Sequence, residues 1–406
     1  MIVAAAPSLT AVEAAARLPA GPGRFLLHSG SDADGMGATS FCGAFPARVI
    51  RGGYADLADP FAAATEMGGF AVGFLGYDLG RRVERLVDRR VAGDSLWFAR
   101  YDAVWRRDET TGSCAIVGGD ASACARLAAA LAEPRPVAAA PIFGAVEPEV
   151  PAERHIAAVR RVLDYIRAGD VYQVNLARRL RAEVRAPGDP IALYARLASA
   201  PFGAVLETDG VTLVSNSPEL FLRVAGRRVE TRPIKGTRAA AVDPAALRAD
   251  EKERAEHLMI VDLLRNDLGR VAEIGSVVVD DFCRVVTLPT VHHLVSTVAA
   301  RLRRGATLAD LLRAAFPGGS ITGAPKVRAM QIIDELEPVA RGPYTGALGY
   351  VGFDGDMELA IIIRTAELAD GALTLAVGGG IVADSDPARE LEETEEKAAA
   401  WRRAIG

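Results

Sequence analysis

Cysteine is scarce in this chain and scattered where it occurs. Cys42, Cys114, Cys124 and Cys283 stand far apart in 406 residues, with no CxxC pair. That spacing argues against a disulfide framework or a thiolate zinc site and fits reduced thiols in a cytoplasmic protein. A leader or membrane span is also missing. The alanine-rich first 30 residues lack a basic start and are interrupted by Pro7, Glu13 and Arg17. There is no positive field, since the net charge is −5 and the arginines are interspersed with acids. A nucleic-acid groove is therefore not expected. No repeat or low-complexity tract stands out, and neither phosphate-loop motif is complete. The glycine-rich string Gly68-Gly69-Phe70-Ala71-Val72-Gly73 does not space as GxGxxG and reads as a strand that another backbone approaches closely. Gly318 and Gly323 have a Walker gap, but Ala324-Pro325 follows where Lys and Ser or Thr are required.

What is present describes a globular chain with a large core. Half the residues are hydrophobic and 24% are charged, and 406 residues suit one large or two ordinary domains. Pro134, Pro136, Pro141, Pro148 and Pro151 make residues 133–152 a linker or an extended crossover. Beyond it, helical spacing runs through Ile156, Val159, Val162, Leu163 and Ile166, with Gly169 as a stop. Residues 171–180 alternate, placing Gln173 and Asn175 on one face of a strand. Residues 211–215, 220–224 and 228–231 read as a meander, and 276–286, 358–366 and 372–377 as further strands. Helices are expected over 121–132, 250–268, 308–315, 325–336 and 387–402. Strands in groups with helices between the groups argue for an α+β fold.

Several polar strings suggest chemistry. Lys235 lies in Pro233-Ile234-Lys235-Gly236-Thr237-Arg238, where Pro233 cannot donate to a ladder and Gly236 permits a sharp turn or a close approach. The reading is one amine on a stiff turn, and a neutral amine so held is a nucleophile. Gly378-Gly379-Gly380 reads as a loop before the last helix, on which Glu390, Glu393 and Lys397 share a face. Glu253, Glu256 and His257 repeat the acidic theme on the 250–268 helix. Two carboxylates, one from each helix, would leave magnesium room for water and an anionic ligand. The loop of small residues at 316–326 feeds a helix N-terminus suited to a carboxylate. Arg364 closes a strand and matches a carboxylate in bidentate fashion, Tyr344 stands in a Gly342-Pro343-Tyr344-Thr345-Gly346 turn, and one histidine of His292-His293 can touch a ligand. Taken singly, each string reads as well as a solvated face, a capped helix or an ordinary turn.

Taken jointly, they resemble the chorismate-utilising enzymes. The matching strings are Gly169-Asp170-Val171-Tyr172-Gln173-Val174-Asn175-Leu176, Ser217-Pro218-Glu219-Leu220-Phe221, the Lys235 segment, and residues 251–270, 320–330, 346–365 and 378–397, in the family's order. The resemblance implies a two-sheet β core flanked by helices. A variable N-terminal part, 1–140, would pack on a chorismate-binding catalytic domain, 141–406. It implies chorismate as substrate and Mg2+ as cofactor, with Glu256 and Glu393 as metal ligands and Glu253 and Glu390 acting through water. Arg364, Tyr344, Gly380 and Lys397 match groups that hold the substrate's carboxylates, and Gln173, Thr237, Ser320 and Gly379 join them in lining the site. Glu219 matches the acid that helps the ring 4-hydroxyl leave, and His293 a histidine near the ring; with Lys235 they form the implied catalytic set.

Two positions separate the branches. Isochorismate and salicylate synthases carry lysine where this chain has Gln173. Anthranilate synthases usually carry alanine where it has Lys235. Lysine there resembles the aminodeoxychorismate synthases, which implies a covalent Lys235 adduct at C2 opened by ammonia at C4. The product would be 4-amino-4-deoxychorismate, precursor of 4-aminobenzoate and folate. No glutaminase nucleophile string is visible, so the ammonia would come from a separate glutamine amidotransferase subunit or from solution, and no lyase segment is read. Tryptophan-binding relatives often carry Leu-Leu-Glu-Ser; here Leu26-Leu27-His28-Ser29 stands instead. The rival readings are an anthranilate synthase component I and a catalytically inactive chorismate-binding subunit.

Overall fold

The computed structural model describes residues 1–30, 37–53, 56–86, 93–136, 138–198, 200–239, 243–287 and 291–406. The side chains of Thr237, Arg238, Ala239, Lys252 and Val291 lie outside what is described. Two antiparallel sheets form the centre. Among the described residues the first has 13 strands and runs from Ile2–Ala5 through Phe25–His28, Phe202–Glu207, Thr212–Ser217, Thr365–Ala369 and Ala372–Ile381 to Gln173–Ala186 and Glu147–Pro148. The second has 10 strands and runs from Ile234–Ala239 through Val291–Arg301, Arg228–Arg232, Leu220–Ala225, Met357–Ile361 and Ala347–Val351 to Phe70–Leu75, Leu96–Tyr101 and Arg48–Gly52. Strands from the N-terminal third thus extend both sheets.

Three apolar clusters bind the layers. Phe25, Phe41, Phe70, Trp97, Leu206 and Leu348 meet between the sheets. Leu311, Leu312, Ile260 and Leu264 bring the Leu308–Ala315 and Glu251–Gly269 helices onto the second sheet. Leu127, Leu131, Ala398 and Trp401 bring Ala121–Ala132 and Pro387–Ile405 onto the first. Gly73 is required in its strand, because a Cβ there would lie 2.1 Å from the Trp97 carbonyl oxygen. That is the close backbone approach expected from the sequence.

The helices expected at 121–132, 250–268, 308–315, 325–336 and 387–402 all form, within a few residues at their ends. Four local expectations need correction. The 211–231 meander is split, since Thr212–Ser217 belongs to the first sheet and Leu220–Ala225 to the second. The strand expected at 358–366 is two strands in different sheets, Met357–Ile361 and Thr365–Ala369, broken where Arg364 adopts φ 52°. Gly378-Gly379-Gly380 is not a loop; it continues the Ala372–Ile381 strand because Ala177, Leu176 and Asn175 supply a ladder for it. Lys235 is not on a turn but in the Ile234–Ala239 strand, opposite Leu294. The ladder lapses at Arg232 and Pro233, and the chain then resumes pairing along Val291–Arg301, the partner that Arg228–Arg232 also uses. Within residues 133–152, Ile142–Phe143 and Glu147–Pro148 pair with the long Gln173–Ala186 strand.

Candidate functional site

The site forms where the chain steps twice between the sheets. Pro218-Glu219 links Thr212–Ser217 to Leu220–Ala225, and Ile362-Ile363-Arg364 links Met357–Ile361 to Thr365–Ala369. The crossings are tied together: Ser217 Oγ donates to the Ile361 carbonyl at 2.7 Å, the Ile361 amide to the Glu219 carbonyl at 3.0 Å, and the Asn216 amide to the Arg364 carbonyl at 3.1 Å. An acid and a guanidinium distant in sequence thereby sit on two short crossings, each anchored by strands at both ends and tied to the other by these hydrogen bonds.

Glu219 is buried and accepts a hydrogen bond from Ser320 Oγ at 2.6 Å. Burial pushes its carboxyl up to about 7. The Ser320 hydrogen bond, the Lys235 charge, the Ile234 amide and the more distant Lys397 hold it from rising further. Near neutral pH it is an acid that can hold or release a proton.

Gly379 and Gly380 clear both faces of their strand, because successive positions point to opposite sides. A Cβ on Gly380 would lie 3.0 Å from the Gln173 Nε2 and 3.5 Å from the Lys235 Nζ. A Cβ on Gly379 would lie 3.1 Å from Glu390 Oε2, 3.5 Å from Glu393 Oε1 and 3.7 Å from Lys397 Nζ. Gln173 is fully buried, yet neither polar atom of its amide has a hydrogen-bond partner. Lys235, half-buried, presents its amine beside that amide and contributes charge to Glu219, Glu393 and His257.

Lys397 Nζ donates to the Gly378 carbonyl at 2.6 Å and pairs with Glu393 at 2.5 Å. Desolvation lowers Lys397, opposed by Glu393 and assisted by Arg364 and Lys235. Desolvation also raises Glu393, but Lys397, Lys235 and Arg364 outweigh it and hold that carboxyl below its usual value. Burial depresses Arg364. Burial raises Tyr344 to about 12, so the phenol stays a hydrogen-bond donor. His293 is buried, 3.3 Å from the Gly236 carbonyl oxygen through Nδ1, and burial with the Arg364 charge favours its neutral form. Gly236 has φ 62°, a conformation that favours glycine, and a Cβ there would lie 2.9 Å from the Leu247 side chain and 3.2 Å from Glu253 Oε2.

The structure thus draws Lys235, Glu219, Ser320, Gln173, Gly379, Gly380, Glu390, Glu393, Lys397, Arg364, Tyr344 and His293 towards one cleft. Glu253 reaches its rim at Gly236, and Glu256, half-buried, lies one turn further along the Glu251–Gly269 helix, which packs on the Ile234–Ala239 strand. The Thr237 backbone pairs with His293, and its side chain is outside the described residues. Among the described residues no group of three or more His, Cys, Asp or Glu closes around a point. Magnesium needs only one or two protein carboxylates beside water and an anionic ligand, and every donor here is a hard oxygen, so the residues fit that ion.

In the sequence, His257 stands out only through its spacing from Glu253 and Glu256. The structure buries it completely, 2.6 Å from Ser296 Oγ through Nε2, with Nδ1 unpartnered. Burial and the Lys235 charge push it down to about 4. Glu337 and Arg341 form a buried pair at i and i+4 just beyond a helix end, and that spacing is their only signal in the sequence. Outside the cleft, His28 pairs with the Tyr194 hydroxyl at 2.9 Å.

The model of the chorismate binding enzyme family matches residues 48–403, and the chain belongs to that family. It is 45% identical over 343 residues to the aminodeoxychorismate synthase component 1 of Klebsiella aerogenes, covering 81% of this chain and 75% of that one. It is 43% identical over 372 residues to an anthranilate synthase component 1 of Haloarcula marismortui, covering 82% and 75%. The crystal structure of anthranilate synthase component I from Streptococcus pneumoniae superposes with a TM-score of 0.81 at 30% identity, covering 90% of this chain and 92% of that one. The menaquinone-specific isochorismate synthase of Escherichia coli, at 19% identity and a TM-score of 0.76, shares the fold. The protein is a chorismate-utilising enzyme with the two-sheet fold expected from its sequence. No helix among the described residues is long and apolar enough to cross a membrane.

Proposed function

We propose that this enzyme aminates chorismate at C4 to give 4-amino-4-deoxychorismate, using ammonia delivered by a glutamine amidotransferase subunit. The observation that carries the reading is Lys235, whose amine stands beside the Gln173 amide over Gly380 and within electrostatic reach of Glu219. Relatives of both the aminodeoxychorismate and the anthranilate type match to similar extents, so the choice between them rests on these side chains.

In the first step the Lys235 Nζ lone pair forms a bond to ring C2. The ring double bonds shift, the C4–O bond breaks, and Glu219 gives its proton to the departing hydroxyl, which leaves as water. In the second step ammonia bonds to C4, the double bonds shift back, and the C2–N bond to Lys235 breaks. The proton lost by ammonia returns to Glu219, and the enolpyruvyl group stays on the ring. One difficult displacement becomes two easier ones. Gln173, whose amide is neutral, cannot act as a base that activates water at C2. Arg364, Tyr344, Lys397 and the Gly379 and Gly380 backbone would hold the substrate carboxylates, with Thr237 and Ser320 at the margin and His293 near the ring. Glu256 and Glu393 would bind Mg2+ directly and Glu253 and Glu390 through water, and the bound ion would neutralise substrate charge. The four unpaired thiols suit a reducing cytoplasm.

The test is product analysis from chorismate, ammonium and magnesium, with and without an added aminodeoxychorismate lyase. The reading expects a lyase-dependent appearance of 4-aminobenzoate and pyruvate. Direct release of anthranilate and pyruvate by the protein alone would replace it with the anthranilate synthase reading.

A further inference from the structure

Arg341 lies just past the Lys326–Leu336 helix, buried at 7% exposure. A guanidinium has five N–H bonds, and this one finds five acceptor contacts. Nε donates to Glu337 Oε2 at 3.0 Å, Nη2 to Glu337 Oε1 at 2.7 Å and to the Asn175 carbonyl at 2.6 Å, and Nη1 to the Ile321 carbonyl at 3.0 Å and Thr345 Oγ1 at 3.2 Å. Its carbon centre also lies 4.7 Å from the Tyr77 ring and 5.7 Å from the Tyr344 ring.

These tethers end one or two residues from groups already placed in the cleft. Asn175 is two residues from Gln173 on the same strand. Ile321 follows Ser320, whose hydroxyl holds Glu219. Thr345 follows Tyr344, and its hydroxyl donates to the Tyr344 carbonyl at 2.6 Å. Glu337 adds a fourth tie by accepting from the Ala177 amide at 2.9 Å. Three chain segments that are remote in sequence thus share one planar fork. Lysine, a point charge on a flexible stem, cannot reproduce it.

We propose that Arg341 is a positioning residue that sets the placement of Gln173, Ser320 and Tyr344 relative to one another. This rests on the amination reading above. Arg341 acts through these neighbours, and its nearest consequence is the Ser320–Glu219 hydrogen bond. The groups facing the Glu219 carboxyl are Ser320 and the Ile234 amide, with the Lys235 and Lys397 charges beyond. Loosening Ser320 removes one interaction that favours the carboxylate, so the proton is held to higher pH.

The test compares Arg341→Lys and Glu337→Gln with Arg24→Lys, a control in a buried ion network remote from the cleft. Glu337→Gln keeps the argument testable if Arg341→Lys folds poorly. The first two variants should lower kcat by about 10- to 100-fold, more than they change KM for chorismate. They should also move the alkaline limb of the kcat profile up by about half a pH unit. Arg24→Lys should lower Tm and leave kcat and that limb in place. A carboxyl-labelled 13C titration of Glu219 in ligand-free protein, assigned with Glu219→Gln, should show the same upward shift without turnover. If both variants lose stability as Arg24→Lys does, with kcat and the Glu219 titration unmoved, Arg341 is structural only. If wild-type protein fails to aminate chorismate, the functional reading falls, and the titration still decides the role of Arg341.

Discussion

Arg24 and Gln173 are both closed off from water, at 1% and 0% exposure, and they are wired in opposite ways. Arg24 pairs with both Asp189 oxygens at 3.0 and 2.7 Å, with Glu207, and with the Leu18 carbonyl. Gln173 meets no partner through either polar atom of its amide. A buried polar group left unpaired costs about 1–3 kcal/mol, so a sequence under selection for stability alone would fill or remove it. The first region has polar groups that hold the protein together. The second leaves polar groups without a protein partner. Asn175 Oδ1 on the same strand and His257 Nδ1, which feels the Lys235 charge, share that condition. Unpartnered buried atoms also occur at Ser29, Tyr77, Arg100, Trp105, Glu109 and Asn216, so what marks the cleft is that the Gln173 amide lies beside the Lys235 amine and His257 feels its charge.

Breaking each half of this contrast should give opposite outcomes. The largest effect belongs to Lys235→Ala, which should cut lyase-coupled turnover by a factor on the order of 1000 or more. The half-buried amine has no ion pair within 4.0 Å among the described residues, so Tm should change little. Unaltered turnover in that variant would remove the nucleophile. Arg24→Met should do the reverse, since it leaves Asp189 and Glu207 without their cation. A loss of about 3–5 kcal/mol in denaturant unfolding is expected, with kcat/KM preserved wherever the protein is folded.

Glu219→Gln combines both outcomes. Burial pushes this carboxyl up to about 7 in the folded protein, against an ordinary value of 4.5. Between these values the native state binds more protons than the unfolded state, so stability falls as pH rises through the window. The full cost, about 3 kcal/mol, is present above pH 7 and absent below about 4.5. Glutamine should therefore stabilise the protein at pH 8 while reducing turnover by about 100-fold or more. In the wild type, turnover should decline as pH rises past 7 and the acid is lost. A pH-independent Tm difference between the two proteins would contradict the buried-acid assignment.

Glu256→Ala should abolish magnesium-dependent turnover and the rise in Tm on adding magnesium with chorismate. A normal magnesium response would remove that ligand assignment. The smallest effect is expected for Gln173→Leu. It should gain about 1 kcal/mol by removing an unmet amide, and lose about 10- to 100-fold in turnover through poorer placement of the reacting groups.

Much of this contrast was legible in the chain. The spacing of Glu390, Glu393 and Lys397 placed them on one helical face, and that face meets Gly379. Helices with strong periodicity and clear stops, such as Ala152–Arg167 before Gly169, were legible nearly to their ends. What escaped was long-range. Alternation within residues 358–366 cannot reveal that the chain changes sheets at Arg364, because each half reads as strand on its own. Three glycines read as a loop until the long strand beside them supplies a ladder. The Lys235 segment reads as a turn because the partner that lets pairing resume after Pro233 lies almost sixty residues away. The crossings that join Glu219 to Arg364 depend on hydrogen bonds between distant segments, which no local pattern encodes.

The most direct measurement is intact-protein and peptide mass spectrometry after mixing the enzyme with chorismate and magnesium in the absence of ammonia. The account predicts a mass increase equal to chorismate less one water, confined to the peptide that carries Lys235, absent in Lys235→Ala and discharged when ammonium is added. Formation of 4-amino-4-deoxychorismate in a single turnover, with that peptide unmodified at every time sampled, would contradict it.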